Sequence, residues 1–324
     1  MSEALWLTEA DVVALINLPA ATQCVRAVLA LEVQGRAETM EKTSITWGDG
    51  DTLHAIGGVA GDIVGTKTWA HTGGGATPLL VLWDAATGRL RAIIEAFALG
   101  QLRTAAVSAL ATDLLADPGA ESMAVIGSGK QAYAQVAAVA SVRRLESLRV
   151  HSPTAAHRDA LADRLRATGA APSVEVFDSV AGAVAGASVV TTVTRARDPF
   201  LHSAMLAPGA HVNAIGAITP ERVELAEDVA SDAALVVSDS PDAAGRLSRE
   251  LAGASTVWPL SAVVTGAAAA GDGSTVFKAM GIGLADVALG SSVLAAAIVG
   301  GRGRPVPAPQ KAVPSFFGGI GGMA

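Results

Sequence analysis

Ser122-Met123-Ala124-Val125-Ile126-Gly127-Ser128-Gly129-Lys130-Gln131-Ala132 decides the fold. A short apolar run passes straight into glycine, serine and glycine, and a helix-forming run follows to residue 142. An apolar run of this length, closed by a turn signal, reads as a strand buried on both faces. Between strand and helix the glycines form a G-x-G-x-x-A pattern. Gly127 permits the tight turn, Gly129 lets a pyrophosphate approach the backbone, and Ala132 keeps helix and strand close. Free N–H groups and partial positive charge at the helix start would then meet phosphates. A Walker loop is excluded, because Gln131 follows Lys130 where serine or threonine is required. The expected dinucleotide contacts here are Gly127, Ser128, Gly129, Lys130, Gln131 and Ala132.

Downstream the pattern repeats. A strand at 148–150, a helix at 154–167 and a strand at 174–177 are followed by strands at 187–193, 211–215 and 235–238. Strands alternating with helices predict a parallel sheet with both faces covered. The tip of the second strand should read the adenosine ribose, where a carboxylate selects NAD and its absence beside a basic group selects NADP. His151-Ser152-Pro153-Thr154 holds no acid and Arg158 stands one turn into the next helix, so NADP(H) is favoured over NAD(H), with contacts from Ser152, Thr154 and Arg158. The alternative for Arg158 is a solvated helix residue.

Upstream the period differs. Thr8-Glu9-Ala10-Asp11 resembles a capping box before an apolar run, Pro19 suits the first turn of a second helix, and Gly35 ends it. Two hairpins follow, at 44–56 around Gly48-Asp49-Gly50-Asp51 and at 79–94 around Asp84-Ala85-Ala86-Thr87-Gly88, with a strand at 63–69 between them. An antiparallel meander and a helix at 98–116 complete this half. The expected fold class is α/β, a Rossmann dinucleotide-binding domain at 116–304 and an N-terminal α/β substrate and dimerisation domain at 1–115, joined by 305–324. The tail from 313 reads as loosely ordered or docked late.

Composition narrows the function classes. The 324 residues are 51% apolar but only 4% aromatic, enough for a large core, and the net charge of −7 argues against a nucleic-acid partner. The single cysteine, Cys24, allows no intrachain disulfide. No basic and apolar leader opens the chain, and the run at 287–301 is too short and too rich in Gly and Ser to span a bilayer. It reads as a core helix. A cytoplasmic protein without membrane contact is expected. None of the six histidines forms a helical i,i+4 pair beside carboxylates, so no metal site is expected. No G-x-S-x-G nucleophile elbow occurs.

Two cations stand out. Lys67 lies mid-strand, either facing solvent or buried against an anion. Arg103 begins an apolar helix, where it opposes the helix dipole and calls for an anionic partner, unless it is simply a surface arginine. His54 and His71 could reach a pocket from the strand half, or be structural.

The chain resembles the ornithine cyclodeaminase/mu-crystallin family over nearly its whole length. The stretches that carry the likeness are Gly65-Thr66-Lys67, Asp84-Ala85-Ala86-Thr87-Gly88, Leu102-Arg103-Thr104-Ala105-Ala106, the glycine turn from Ile126 to Ala132, the segment from Pro208 through His211 and Asn213 to Gly216, and Phe277-Lys278-Ala279-Met280-Gly281. The resemblance implies a two-domain protomer that dimerises through its N-terminal strands, with Thr192, Asn213 and Gly281 as further cofactor contacts. Members reduce imines to amino acids, run the reverse as amino-acid dehydrogenases, or cyclise ornithine to proline. In the family an arginine, a lysine and a second arginine hold the substrate carboxylate. Lys67 and Arg103 match the last two, and Lys42 replaces the first. Where the cyclodeaminases carry an aspartate after the N-A-x-G strand, this chain carries Ile218. The family's Met-Pro pair is replaced by Ala55-Ile56-Gly57-Gly58.

The function so implied is NAD(P)H-dependent reduction of a small 2-imino acid, or the reverse amino-acid dehydrogenation. Arg103 and Lys67 would be catalytic, and Lys42 and Ile218 would line the substrate. The alternatives are a redox-neutral cyclodeaminase and a non-catalytic protein that binds a dinucleotide or small acid.

Overall fold

Thr8 opens the first helix as its sequence predicts: its hydroxyl accepts from the Asp11 N–H while the Asp11 carboxylate accepts from the Thr8 N–H. The computed structural model describes residues 3–307, 309–314 and 316. Its first half runs β1 (Ala4–Leu7), α1 (Glu9–Leu15), α2 (Leu18–Val33), β2 (Ala37–Trp47), β3 (Asp51–Ala60), β4 (Ile63–Thr72), β5 (Gly75–Ala76), β6 (Leu79–Asp84), β7 (Leu90–Glu95) and α3 (Phe97–Leu115). The second half begins β8 (Ser122–Ile126), α4 (Lys130–Ala140), β9 (Ser147–His151), α5 (Ala155–Thr168), β10 (Ser173–Phe177), α6 (Val180–Val184), β11 (Val189–Thr192) and β12 (His211–Ala214). It ends α7 (Glu227–Ser231), β13 (Leu235–Ser238), α8 (Pro241–Leu247), β14 (Trp258–Pro259), α9 (Leu260–Val264), β15 (Thr275–Lys278), α10 (Gly283–Gly300) and β16 (Arg304–Val306).

Among the described residues the strands form two eight-stranded sheets. The first is ordered β16-β1-β7-β6-β4-β3-β2, with β5 on β4, and the second β10-β9-β8-β11-β12-β15-β13-β14. Both predicted hairpins are present, with β2–β3 and β6–β7 antiparallel. The meander needs one correction: β1, not predicted, lies parallel to β7, so the first sheet is mixed. The second sheet is parallel throughout, as expected, but β15 was not predicted and sits between β12 and β13. Chain order reverses between β8 and β11, which opens a crevice at their carboxyl ends.

Helix α10 is long and apolar enough to cross a membrane, yet it is a core helix, as expected. Its place differs from the expected boundary at 304. Leu284, Val287 and Val293 share one core cluster with Leu80, Leu82 and Ile94 of the first sheet, so α10 belongs to that layer. Strand β16 then pairs with β1, which brings the start of the tail to the first domain. Residues 317–324 of that tail lie outside the described residues.

His211, at the start of β12, is fully buried. Its Nδ1 lies 2.8 Å from Thr275 Oγ1 and its Nε2 3.2 Å from Asn213 Oδ1. Burial pushes its pKa from 6.5 down to about 4. Between those values the unfolded chain binds a proton that the native chain refuses, so this stability is full above pH 6.5 and is lost as pH falls toward 4. The loss should reach about 3 kcal/mol. Urea unfolding at pH 7 and pH 4.5 checks this: His211→Gln should show a smaller drop than the parent protein, and an equal drop refutes it.

Candidate functional site

The glycine turn sits where the crevice requires it. Gly127 has φ +124, and a Cβ there would stand 2.6 Å from the Val193 carbonyl, so the left-handed conformation and the close approach both demand glycine. A Cβ on Gly129 would meet nothing within 4 Å, which leaves its face open to a ligand. Helix α4 starts at this point with no side-chain cap, so its first N–H groups point into a cleft of about 1020 Å³. Gly127, Ser128, Gly129, Lys130, Gln131, Ser152 and Gly281 line that cleft. Ser128 Oγ donates to Ser152 Oγ at 2.8 Å, tying the turn to the tip of β9. These features fit a dinucleotide: the turn would hold the pyrophosphate, with Ser152 on the side the adenosine would take and Gly281 on the side the nicotinamide would take.

Other expected cofactor residues take supporting places. Ala132 is buried between α4 and the sheet. Thr192 is fully buried and donates to Glu224 Oε2 at 3.0 Å, while Asn213 Nδ2 donates to Thr112 Oγ1 at 2.9 Å. Neither side chain lines the cleft, because each is committed to an internal bond. Thr154 is exposed beyond the lining residues. Arg158 does not line the cleft either: its guanidinium pairs with Asp178 and donates to the Ser152 carbonyl.

Three buried carboxylates, none singled out from sequence, hold the loops around the cleft. Glu224 accepts from the N–H groups of Thr194 and Gly216, at 2.5 and 2.8 Å. Glu250 accepts from the N–H groups of Glu224 and Leu225 and pairs with Lys278. Asp239 accepts from Met280 and Gly281, at 2.7 and 2.9 Å. Burial raises the pKa of Glu224 and of Asp239.

A second cavity of about 750 Å³, lined by Lys42 and His54, meets the first: Ile218, Arg222, Met280 and Gly281 line both. Arg103, on α3, and His71, on β4, line the first. Lys67 lines neither. It is only 4% exposed, and its ammonium donates to Asp286 Oδ1 at 2.5 Å. Burial pushes that ammonium below the usual lysine range and Asp286 draws it partly back. The solvent-facing alternative for Lys67 is thereby corrected. Asp286 Oδ2 faces Arg103 Nε at 3.7 Å, and neither atom has a hydrogen bond among the described residues. The anionic partner expected for Arg103 is therefore this aspartate, in the first turn of α10. His54 stacks on Trp69, with ring centroids 4.8 Å apart, and its pKa is lowered by burial and then by Lys42 and His71. Lys42 Nζ lies 5.8 Å and Lys67 Nζ 5.3 Å from the centre of the same Trp69 ring.

The chain is similar to known proteins over most of its length. Residues 5–298 match the model of the ornithine cyclodeaminase/mu-crystallin family. The chain is 35% identical over 211 residues to the ketimine reductase mu-crystallin of Mus musculus, a match that spans 64% of this chain and 66% of that protein. It is 30% identical over 240 residues to a delta(1)-pyrroline-2-carboxylate reductase of Bacillus cereus, covering 70% and 73%. The iminosuccinate reductase of Paracoccus denitrificans, solved with NAD+, superposes with a TM-score of 0.86 at 25% identity, over 94% of this chain and all of that one. The chain belongs to the ornithine cyclodeaminase/mu-crystallin family.

Proposed function

We propose that this protein is an NAD(P)H-dependent imine reductase that converts a small 2-imino acid to the amino acid, and runs the reverse dehydrogenation. One observation carries the reading: the open glycine turn and Arg103 line the same cleft, and Asp286 ties Arg103 to the buried Lys67 behind it. Reductases of ketimine, pyrroline-2-carboxylate and iminosuccinate among its relatives support it. A bound reduced nicotinamide supplies the hydride for the imine carbon. Arg103 and Lys42 hold the substrate carboxylate and so orient that carbon, and positioning of this kind supplies much of the catalysis. Lys67 returns a proton to the nitrogen that receives the C=N electron pair. Its lowered pKa makes the ammonium a readier donor than an exposed lysine.

NADP(H) is the preferred cofactor, because the tip of β9 carries no acid. Arg158 serves a 2′-phosphate by exchanging its exposed partner Asp178 for the ligand. The chain works in the cytoplasm as a homodimer. Exposed Met40, Ile45, Trp47 and Leu53 on β2 and β3 make the free edge of the first sheet an apolar contact face.

The test is loss of reduced-cofactor absorbance over a panel of 2-oxo acids with ammonia or methylamine, alongside a second incubation with NAD and L-ornithine. Reduction without proline formation is expected. Ile218 offers no carboxylate to a distal ammonium, and leaving that charge unpaired costs several kcal/mol. Proline and ammonia from ornithine, with no net cofactor change, would instead establish a cyclodeaminase.

A further inference from the structure

We infer that the site is built for a substrate with two carboxylates, the imine of a short 2-oxo diacid, whose second carboxylate is held by Arg222, leaving Arg103 and Lys42 to the first. This rests on the imine-reductase reading and names its substrate class. Arg222 is half-buried and lines both cavities where they meet. Among the described residues no hydrogen bond or ion pair holds its guanidinium. Among the described residues Lys42 has no carboxylate partner either; its ammonium lies over the Trp69 ring. Arg103 and Arg222 are both near enough to Lys42 to depress its ammonium, after the protein packed around it.

The anions nearby do not balance this charge. Asp286 is bonded to Lys67 and faces Arg103, and Asp239 is committed to the Met280 and Gly281 N–H groups. Glu41 is paired with Arg246 across the second cavity. Glu221 is exposed and bonded to Thr219, and it faces Arg197 as well as Arg222, so it offsets only part of their charge. Ile218, on the same loop, adds only apolar surface. Lys42, Arg103 and Arg222 thus line the cavities, and the two buried carboxylates beside them, Asp286 and Asp239, are already engaged by Lys67 and by backbone N–H groups. A single α-carboxylate leaves cations unneutralised, whereas a second one meets the planar fork of Arg222 in a bidentate pair. A terminal methyl leaves Arg222 unpaired, and a terminal ammonium is repelled. In the reaction the imine carbon gains the hydride, nitrogen takes the C=N pair and a proton, and the second carboxylate is unchanged.

The experiment compares oxaloacetate and 2-oxoglutarate with pyruvate and 2-oxobutyrate, each with ammonia and reduced cofactor, for the parent protein, Arg222→Gln and Arg222→Lys. The better diacid should exceed the better monoacid by about 10²-fold in kcat/KM. Arg222→Gln should collapse that ratio toward one, and Arg222→Lys should restore part of it. Cofactor affinity by calorimetry should move less than threefold. Competitive inhibition of the parent protein by succinate and propionate needs no variant, and succinate should bind at least tenfold tighter. Monoacids reduced as well as diacids, or a ratio indifferent to Arg222, overturns the diacid inference and leaves the reductase reading standing. No reduction of any imine overturns both.

Discussion

Lys67→Met should lower kcat/KM for imine reduction about 10³-fold. The same change should destabilise the fold by about 3–5 kcal/mol, because it strands a buried charge. Both effects pass through Asp286, which is fully buried and, among the described residues, has Lys67 as its one direct hydrogen-bond donor. With Lys67 gone, the whole charge of Asp286 acts on Arg103, already 3.7 Å away, and turns that guanidinium from the substrate toward the protein. The proton source is lost in the same step.

Adding Asp286→Asn separates the two effects. The double variant Lys67→Met/Asp286→Asn buries no unpaired charge, so most of the lost stability should return while activity does not. Urea unfolding and steady-state reduction rates, measured on the same preparations, decide it. A Lys67→Met protein within tenfold of the parent rate would remove Lys67 from the mechanism. A double variant no more stable than the single one would remove Asp286 as the reason for the instability.

The parts of this protein that were legible in its sequence are those whose causes are local. The strand-glycine-helix turn, the Thr8 capping box and the two hairpins are each written within a dozen residues, and each forms as expected. Strand β1 is only four residues long, and its partner β7 lies more than eighty residues away, so nothing nearby announces it. Strand β15 is equally short and is identified by its place between β12 and β13. In the site, Arg103 and Lys67 stood out as cations in apolar surroundings, but the anion that explains both is 219 residues from Lys67. Its one sequence signal was an acid in the first turn of an otherwise uncharged apolar helix. The loop-holding carboxylates Glu224, Glu250 and Asp239 were missed because exposed and buried acids look alike in sequence. Arg158 stands at the expected spacing, but its partner Asp178, an acid from another strand end, was not legible beside it.

That dependence on distant contacts leads to Gly283→Ala, which should cost about 3 kcal/mol and also impair catalysis. Gly283 begins α10 where the helix meets β3, and its N–H donates to Thr39 Oγ1 at 3.2 Å. A Cβ at this position would stand 1.9 Å from the Gly57 carbonyl oxygen and 2.5 Å from the Gly57 nitrogen. Those are backbone atoms inside a paired strand, and no side chain can swing aside to relieve the clash. Gly57 has no slack of its own, since a Cβ there would stand 2.1 Å from the Gly65 carbonyl. The helix start must therefore lift from the sheet, and Asp286 lies three residues along it. Lifting Asp286 draws it from Lys67 and Arg103, so kcat/KM should fall at least tenfold even where the variant is fully folded. In a chain of this length each kcal/mol moves Tm by roughly 2 °C, which puts the expected drop near 6 °C. Gly301→Ala is the control: that residue has φ +62 at the far end of the same helix, with nothing within 4 Å of its Cβ. It should lose about 1 kcal/mol from backbone strain and keep its activity. Equal activity in the two variants would show that the start of α10 does not set the geometry of the site.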